Sequence, residues 1–314
     1  MKLTNEQLKT IYFGALQFKE TKDGYLQAFQ YNDEQMAYFK KASDFWYDRC
    51  MASTSKTLEF STNATKFSFD YKLAWKGSED SIELEIDDVI TKINYIKDMK
   101  DEGTLSYDLP NGNKKIVVYL PADATIWIKN FQLNGDFTPA IKEHKVLWLG
   151  DSITQGFGPL RSSLTYVSVA NKLLGYDIIN QGIGGYVYDK NSLMDMGYKP
   201  EKLIVALGTN QYGEETMKPV EDYYEQLFKI YGLLPTLCIT PLWRDDPNTN
   251  HEKLEQYCEG IKNVCRKYKN IIIVDGFKLV PHLSEYFLDN LHPNALGAQV
   301  YGRNLVEKIR EIGF

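Results

Sequence analysis

The residues with chemistry to offer lie in four short pieces. GDSITQG, Gly150 to Gly156, follows the apolar run Val146-Leu147-Trp148-Leu149 and sets an acid beside a hydroxyl. A serine hydroxyl is a poor nucleophile until a base takes its proton. His292, in DNLHP (289–293), is such a base, since an imidazole ordinarily titrates around 6.5. Asp289 stands three residues earlier. A carboxylate there can accept the imidazole Nδ1–H, hold the ring and stabilise imidazolium. Attack by Ser152 on an acyl carbon gives an oxyanion, which needs preorganised donors. The candidates are the Ser152 N–H, the Gly185 N–H in NQGIGG (180–185) and the Asn210 side-chain amide in GTN (208–210).

These pieces are useful only if the chain brings them together. Residues 139–314 read as alternating strands and helices. Strands are expected at 145–149, 176–180, 203–207, 236–240 and 270–274, and helices at 163–174, 219–231, 251–268 and 294–311. Leu164, Val167, Ala170 and Leu174 share a face of the first helix, and Gly175 supplies its stop. Such alternation implies a parallel sheet with helices on both faces. Ligands then bind beyond the carboxyl ends of the strands. Strands one, two and three end in the Ser152, Gly185 and Asn210 blocks, and the Asp289–His292 block lies between strand five and the last helix.

The order GDS, N-x-x-x-x-G, GTN and DxxH resembles the SGNH (GDSL-type) hydrolase superfamily. The resemblance covers roughly 145–314. It implies a flavodoxin-like α/β domain in which Ser152, His292 and Asp289 are catalytic and Ser152, Gly185 and Asn210 form the oxyanion hole. Gly182 is a second candidate for the glycine, and Gly185 fits the block better because it lies five after Asn180. The third block usually reads GxND, and Gln211 stands here in its last place. That departure bears on secondary hydrogen bonding, not on nucleophile or base.

Residues 1–138 read differently. TLEFS (57–61), KFSFDYKLAW (66–75), SIELEID (81–87), KIVVYL (115–120) and TIWIKNFQL (125–133) alternate or are rich in β-branched and aromatic residues, with turn signals between them. An N-terminal β-sandwich is expected, with Trp46, Trp75 and Trp127 in its core. Residues 32–50 stay ambiguous and 186–199 are unassigned. The connector is read at 136–144. A sandwich ahead of such a domain resembles two-domain bacterial members, among them carbohydrate esterases.

Taken singly, each block has a plainer reading. Asp-Ser after a strand serves as a turn or cap, Asn210 as a turn residue, and His292 before Pro293 as a helix cap. Their coincidence at one sheet edge favours catalysis. His144, His251 and His282 have no such acid before them and read as structural or exposed. PLWRDD (241–246) follows strand four, and Trp243 and Arg244 are possible substrate-binding residues. DPNTNH (246–251) lacks the glycine and glutamate of a calcium loop, GIGGYV (182–187) is not a dinucleotide fingerprint, and neither GxSxG nor a Walker loop occurs. No metal and no cofactor are expected.

The net charge of -6 argues against nucleic acid or an anionic membrane as partner. No run approaches the ~18 apolar residues of a membrane helix. The N-terminus lacks the apolar core of a signal peptide. Cys50, Cys238, Cys258 and Cys265 form no CxxC pair. A reduced, cytoplasmic protein is the expectation. The function read here is that of a serine esterase for short acyl esters, with O-acetyl groups on carbohydrates as its substrates. The rivals are a lipase or thioesterase, an acyltransferase, and a catalytically silent carbohydrate-binding protein. The partner is a small-molecule or oligosaccharide ester.

Overall fold

A computed structural model describes residues 1–247 and 249–314. Two antiparallel sheets pack face to face in the first part. One runs in the order Tyr12–Phe13, Thr57–Thr62, Lys114–Tyr119, Ser81–Ile86, Val89–Tyr95, with Phe137–Pro139 also paired to Thr57–Thr62. The other runs Gln17–Glu20, Leu26–Phe29, Thr125–Leu133, Lys66–Trp75, Glu102–Asp108. Period-two patterning explains the packing. Phe67, Phe69, Tyr71 and Leu73 all point inward from Lys66–Trp75 and meet Leu58, Phe60, Ile82, Leu84, Ile116 and Val118 of the facing sheet. This is the expected sandwich.

The strands that sequence left unnamed are informative. Val89–Tyr95 and Glu102–Asp108 are edge strands, largely exposed; the first has no clean alternation, and the second turns only Leu105 and Tyr107 toward the core. Trp127 sits half-buried on Thr125–Leu133, outside the sandwich core. Trp46 packs edge-on to Tyr186 with centroids 5.1 Å apart, so it too is not sandwich core as expected.

The parallel sheet has the order Tyr176–Gly182, Glu143–Gly150, Lys202–Ala206, Thr236–Ile239, Ile271–Val274. Its centre is apolar on both faces, as a sheet covered twice requires. Val146, Trp148, Ile204 and Leu237 face the helices Tyr166–Leu174 and Ala295–Ile312. Leu147, Leu149, Leu203 and Val205 face Lys218–Tyr231 and His251–Cys265. Among the described residues, no helix is long and apolar enough to cross a membrane.

The ambiguous stretch 32–50 forms two helices, Asp33–Ala42 and Asp44–Cys50. Asn32 and Gln35 make a reciprocal capping box, and Ser43 caps the second helix. Tyr31, Met36, Phe39 and Cys50 are buried in the cluster formed by the second face of the parallel sheet, not in the sandwich. Residues 186–199 contain only the short 3₁₀ turn Lys190–Ser192. In register, Gly150 lies beside both Gly182 and Ala206, so the first three strands stop at one level.

Candidate active site

Beyond that level the backbone turns from strand to a single helical turn, Ser152–Gln155. Asp151 caps it, its carboxylate accepting the Ile153 N–H at 3.0 Å. Burial pushes the Asp151 carboxyl up to about 7, against the pull of the Ile153 N–H, its own N–H and the charge of Arg244. Ser152 is thereby held at the first helical position, 7% exposed. Its own N–H belongs to the unpaired donors of a helix start.

Ser152 Oγ lies 2.8 Å from His292 Nε2. His292 Nδ1 lies 2.8 Å from Asp289 Oδ2, and Asp289 Oδ1 accepts the His292 and Leu291 N–H groups at 2.7 and 3.1 Å. Burial raises the Asp289 carboxyl, but the hydrogen bonds from His292 and Leu291 and the His292 charge outweigh it, so the net shift is downward. The loop closes on itself through Leu288 N–H to His292 O at 2.8 Å, with Asn290 at φ 61° between. Phe157 stands edge-on to the His292 ring, centroids 4.7 Å apart. Hydroxyl, imidazole and carboxylate form one continuous chain able to carry a proton away from Ser152 Oγ.

The glycine turn after strand two treats its two candidate glycines differently. The Gly182 N–H is occupied, donating to Asn180 Oδ1 at 2.8 Å. Gly185, at φ 69°, sits in a conformation that favours glycine and is exposed. Neither its N–H nor that of Ser152 makes a hydrogen bond among the described residues. Asn210 donates one amide hydrogen to Tyr186 O at 2.8 Å, which ties its block to the glycine turn and leaves a second hydrogen. Gln211 braces the same turn, since its Oε1 accepts the Tyr188 N–H at 2.6 Å.

Both candidate side chains of PLWRDD have protein partners. Trp243 is half-buried and stacks on His282, 5.2 Å between centroids at 6°. Arg244 is buried, with Nε donating to Asp246 Oδ1 at 2.6 Å and Nη1 to Thr209 O at 2.8 Å. Asp245 N–H donates to Asn290 O at 2.8 Å, so this segment buttresses the loop that carries Asp289. Asn248 of the DPNTNH segment lies outside the described residues. His144 faces Glu201 at 2.9 Å and His251 faces Asp245 at 3.0 Å, away from the serine chain.

Two contributors had no clear signal in sequence. Gln155 lies within the first block but reads as an ordinary helix residue. Asp123 lies in the turn before Thr125–Leu133 and nothing around it suggests a site. Yet Gln155 donates to Asp123 Oδ1 at 2.5 Å and accepts the Gly184 N–H at 2.6 Å.

Residues 148–300 match the GDSL-like Lipase/Acylhydrolase family. No curated protein matches the chain in sequence. Among solved structures, the salicylyl-acyltransferase SsfX3 from a tetracycline biosynthetic pathway superposes with a TM-score of 0.77 at 16% identity, over 96% of this chain and 95% of that one. A family two carbohydrate esterase from Cellvibrio japonicus gives 0.67 at 15% identity, over 96% and 94%. Another from Clostridium thermocellum, in complex with cellohexaose, gives 0.66 at 14% identity, over 83% and 94%. The match in sequence runs from the strand before Ser152 into the helix after His292, so residues 148–300 carry a GDSL-like lipase/acylhydrolase domain, that of a serine hydrolase.

Proposed function

We propose that the protein hydrolyses short-chain acyl esters through an acyl-enzyme on Ser152, and that its natural substrates carry O-acetyl groups on a carbohydrate. The observation that carries the reading is the unbroken chain Ser152–His292–Asp289 beside two unpaired backbone donors. Ser152 Oγ attacks the ester carbon while His292 Nε2 takes its proton. The Ser152 N–H, the Gly185 N–H and the free hydrogen of Asn210 receive the oxyanion. Collapse of the intermediate breaks the ester C–O bond, and the imidazolium returns the proton to the departing alcohol. Water then attacks the acyl carbon while giving a proton to His292; collapse breaks the acyl C–Ser152 Oγ bond, the imidazolium returns the proton to Ser152 Oγ, and the acid leaves. Asp289 stays ionised throughout, holding the ring with Nδ1–H toward itself.

The acyl group is small in this reading because the segments flanking the serine, FGPLRSS and YVYDK, are mixed in character. Each CH₂ of a long chain needs apolar surface to gain its roughly 0.8 kcal/mol. The carbohydrate assignment draws on the family two carbohydrate esterases that share the fold. In it Asp245 supports the histidine loop through Asn290 O, while Trp243 and Arg244 hold the same segment against His282, Asp246 and Thr209. The four cysteines are free and buried, which suits a reducing compartment such as the cytoplasm.

A second reading has its own support. The salicylyl-acyltransferase matches nearly the whole of both chains. An acyltransferase would form the same acyl-enzyme and pass the acyl group to an acceptor hydroxyl in place of water.

The experiment is a substrate panel: p-nitrophenyl acetate, butyrate and octanoate, then acetylated xylo-, manno- and gluco-oligosaccharides, with acetate release measured. Acetyl should exceed octanoyl esters by about tenfold or more in kcat/KM, roughly 1.4 kcal/mol. Faster turnover of octanoate, with no acetate from any sugar, moves the reading to a lipase or thioesterase. Acyl transfer to added alcohols at the expense of hydrolysis favours the acyltransferase.

A further inference from the structure

The β-sandwich carries none of the four blocks, yet it reaches the glycine turn beside Ser152. Gln155 is the link. Its side chain is buried between the two parts of the molecule, accepting the Gly184 N–H through Oε1 and donating through Nε2 to Asp123 Oδ1. Asp123 is itself fixed from several sides. Its Oδ2 accepts the Ser78 N–H at 3.1 Å, and its own N–H donates to Asp80 Oδ2 at 3.2 Å. The same Asp80 oxygen takes the Ala122 N–H at 2.6 Å.

The chemistry of this link is directional. An amide has a donating end and an accepting end, and a carboxylate only accepts. Asp123 therefore compels Gln155 to turn its Nε2 toward the sandwich and its Oε1 toward Gly184. The reversed amide would set two N–H groups face to face. From the other side, Arg49 of the helix Asp44–Cys50 closes over the turn. A side chain at position 184 would come within 2.7 Å of Arg49 Cδ and Nε. The Arg49 guanidinium is stacked 3.4 Å from the centre of the Phe45 ring, and it donates to Phe45 O at 3.1 Å. Gly184 is thus held between Gln155, on its N–H, and Arg49, at its Cα, and the peptide that follows it carries the Gly185 N–H assigned to the oxyanion.

We propose that Asp123, acting through Gln155, is a positioning residue for the oxyanion hole, so that the β-sandwich takes part in the reaction by fixing the glycine turn. This rests on the reading of Ser152 as nucleophile and Gly185 as oxyanion donor. A preorganised donor stabilises the transition state more than the bound ester. Loosening the turn should therefore lower kcat and leave KM nearly unchanged, whereas loss of a mere structural contact would lower stability.

The test reverses the polarity of the link. Gln155→Glu retains an acceptor for Gly184 but sets a carboxylate against Asp123. Adding Asp123→Asn restores a donor on the sandwich side, with Oδ1 still free to accept the Ser78 N–H. Gln155→Met, of similar length, removes both hydrogen bonds. On p-nitrophenyl acetate, Gln155→Glu and Gln155→Met should each lose about 10- to 100-fold in kcat with KM within about threefold, the scale of a displaced but present donor. The pair Asp123→Asn/Gln155→Glu should return to within about threefold of the wild-type kcat. Amide exchange at Gly184 should be slow in the wild-type protein and fast in Gln155→Met.

A wild-type kcat in Gln155→Met overturns the proposal. So does a reversed pair that melts with the wild type but is no faster than Gln155→Glu, or a Gly184 amide that exchanges freely in the wild type. The wild-type exchange measurement decides even where a variant does not fold. Ser152→Ala is assayed alongside. If it is inert while Gln155→Met keeps full kcat, the positioning role alone falls. If Ser152→Ala keeps the wild-type rate, the nucleophile assignment falls and takes this inference with it.

Discussion

Asp289 grips His292 twice, with one oxygen on the backbone N–H at 2.7 Å and the other facing ring Nδ1 at 2.8 Å. The short DxxH spacing makes this possible, since the loop between them needs only the left-handed Asn290 to close. One carboxylate therefore sets both the loop conformation and the ring orientation. Asp289→Asn keeps an acceptor for the backbone but presents an N–H to one position, so the favourable tautomer is lost. The side chain is 45% exposed and water can stand in for part of the interaction. A fall in kcat of roughly 10²–10⁴ is expected on p-nitrophenyl acetate. An unchanged kcat would remove Asp289 from the reaction.

Asp80 gives a test in stability rather than rate. It is buried, and desolvation raises its carboxyl to about 7, helped by the charges of Asp123 and Glu83 and opposed by the Ala122 and Asp123 N–H groups. In the unfolded chain an aspartate titrates near 3.9. Between about pH 4 and 7 the native state keeps a proton that the unfolded state has released, so stability falls as pH rises through that window. Above about 7 the penalty is complete, on the order of 2–4 kcal/mol. Asp80→Asn is neutral at every pH. Urea denaturation should find the variant close to wild type at pH 5 and more stable at pH 8. An equal difference at both values would contradict a raised Asp80.

The boundary at residue 138 can be tested through Phe39. We propose 1–138 as an accessory unit and 139–314 as the catalytic one, with an important qualification from packing. Phe39 is 1% exposed and lies edge-on to Tyr186 at 5.6 Å, so residues of the first unit complete the core of the second. Phe39→Ala should cost about 3–5 kcal/mol in urea denaturation. The shortened chain 139–314 loses Tyr31, Met36 and Phe39 together, at roughly 1.5–3 kcal/mol each. That is a large part of an ordinary stability of about 5–15 kcal/mol. It should aggregate or melt well below the full chain. A 139–314 chain as stable and active as the whole would show that the helices 33–50 contribute little.

The parts of this molecule that were legible in sequence share a cause. Val146–Leu149 and Leu203–Val205 are buried on both faces and read as apolar runs, and a parallel sheet brings the residues just beyond such runs to one edge. Ser152, Gly185, Asn210 and the Asp289–His292 pair could therefore be placed from order and spacing. The helices 33–50 were harder because their apolar face serves the other part of the chain, a partnership that local periodicity does not encode. Edge strands such as Val89–Tyr95 lack an inward face to read. Trp243 and Arg244 stood at the right sheet edge but turn to His282, Asp246 and Thr209, and a sequence does not say which way a side chain turns. The Gln155–Asp123 link joins residues 32 apart across two units, and no motif announces it.

The whole mechanism turns on Ser152 as the nucleophile. Its direct measurement is the steady-state rate of p-nitrophenyl acetate hydrolysis by purified Ser152→Ala, with folding checked by thermal melting. Ser152 Oγ reaches only His292 among the described side chains in hydrogen-bonding range, so its removal should leave the fold intact. A fall in kcat of roughly 10⁴–10⁶ is predicted, the scale of nucleophile removal in serine hydrolases. A folded Ser152→Ala protein that turned over the ester at the wild-type rate would remove Ser152 from the reaction.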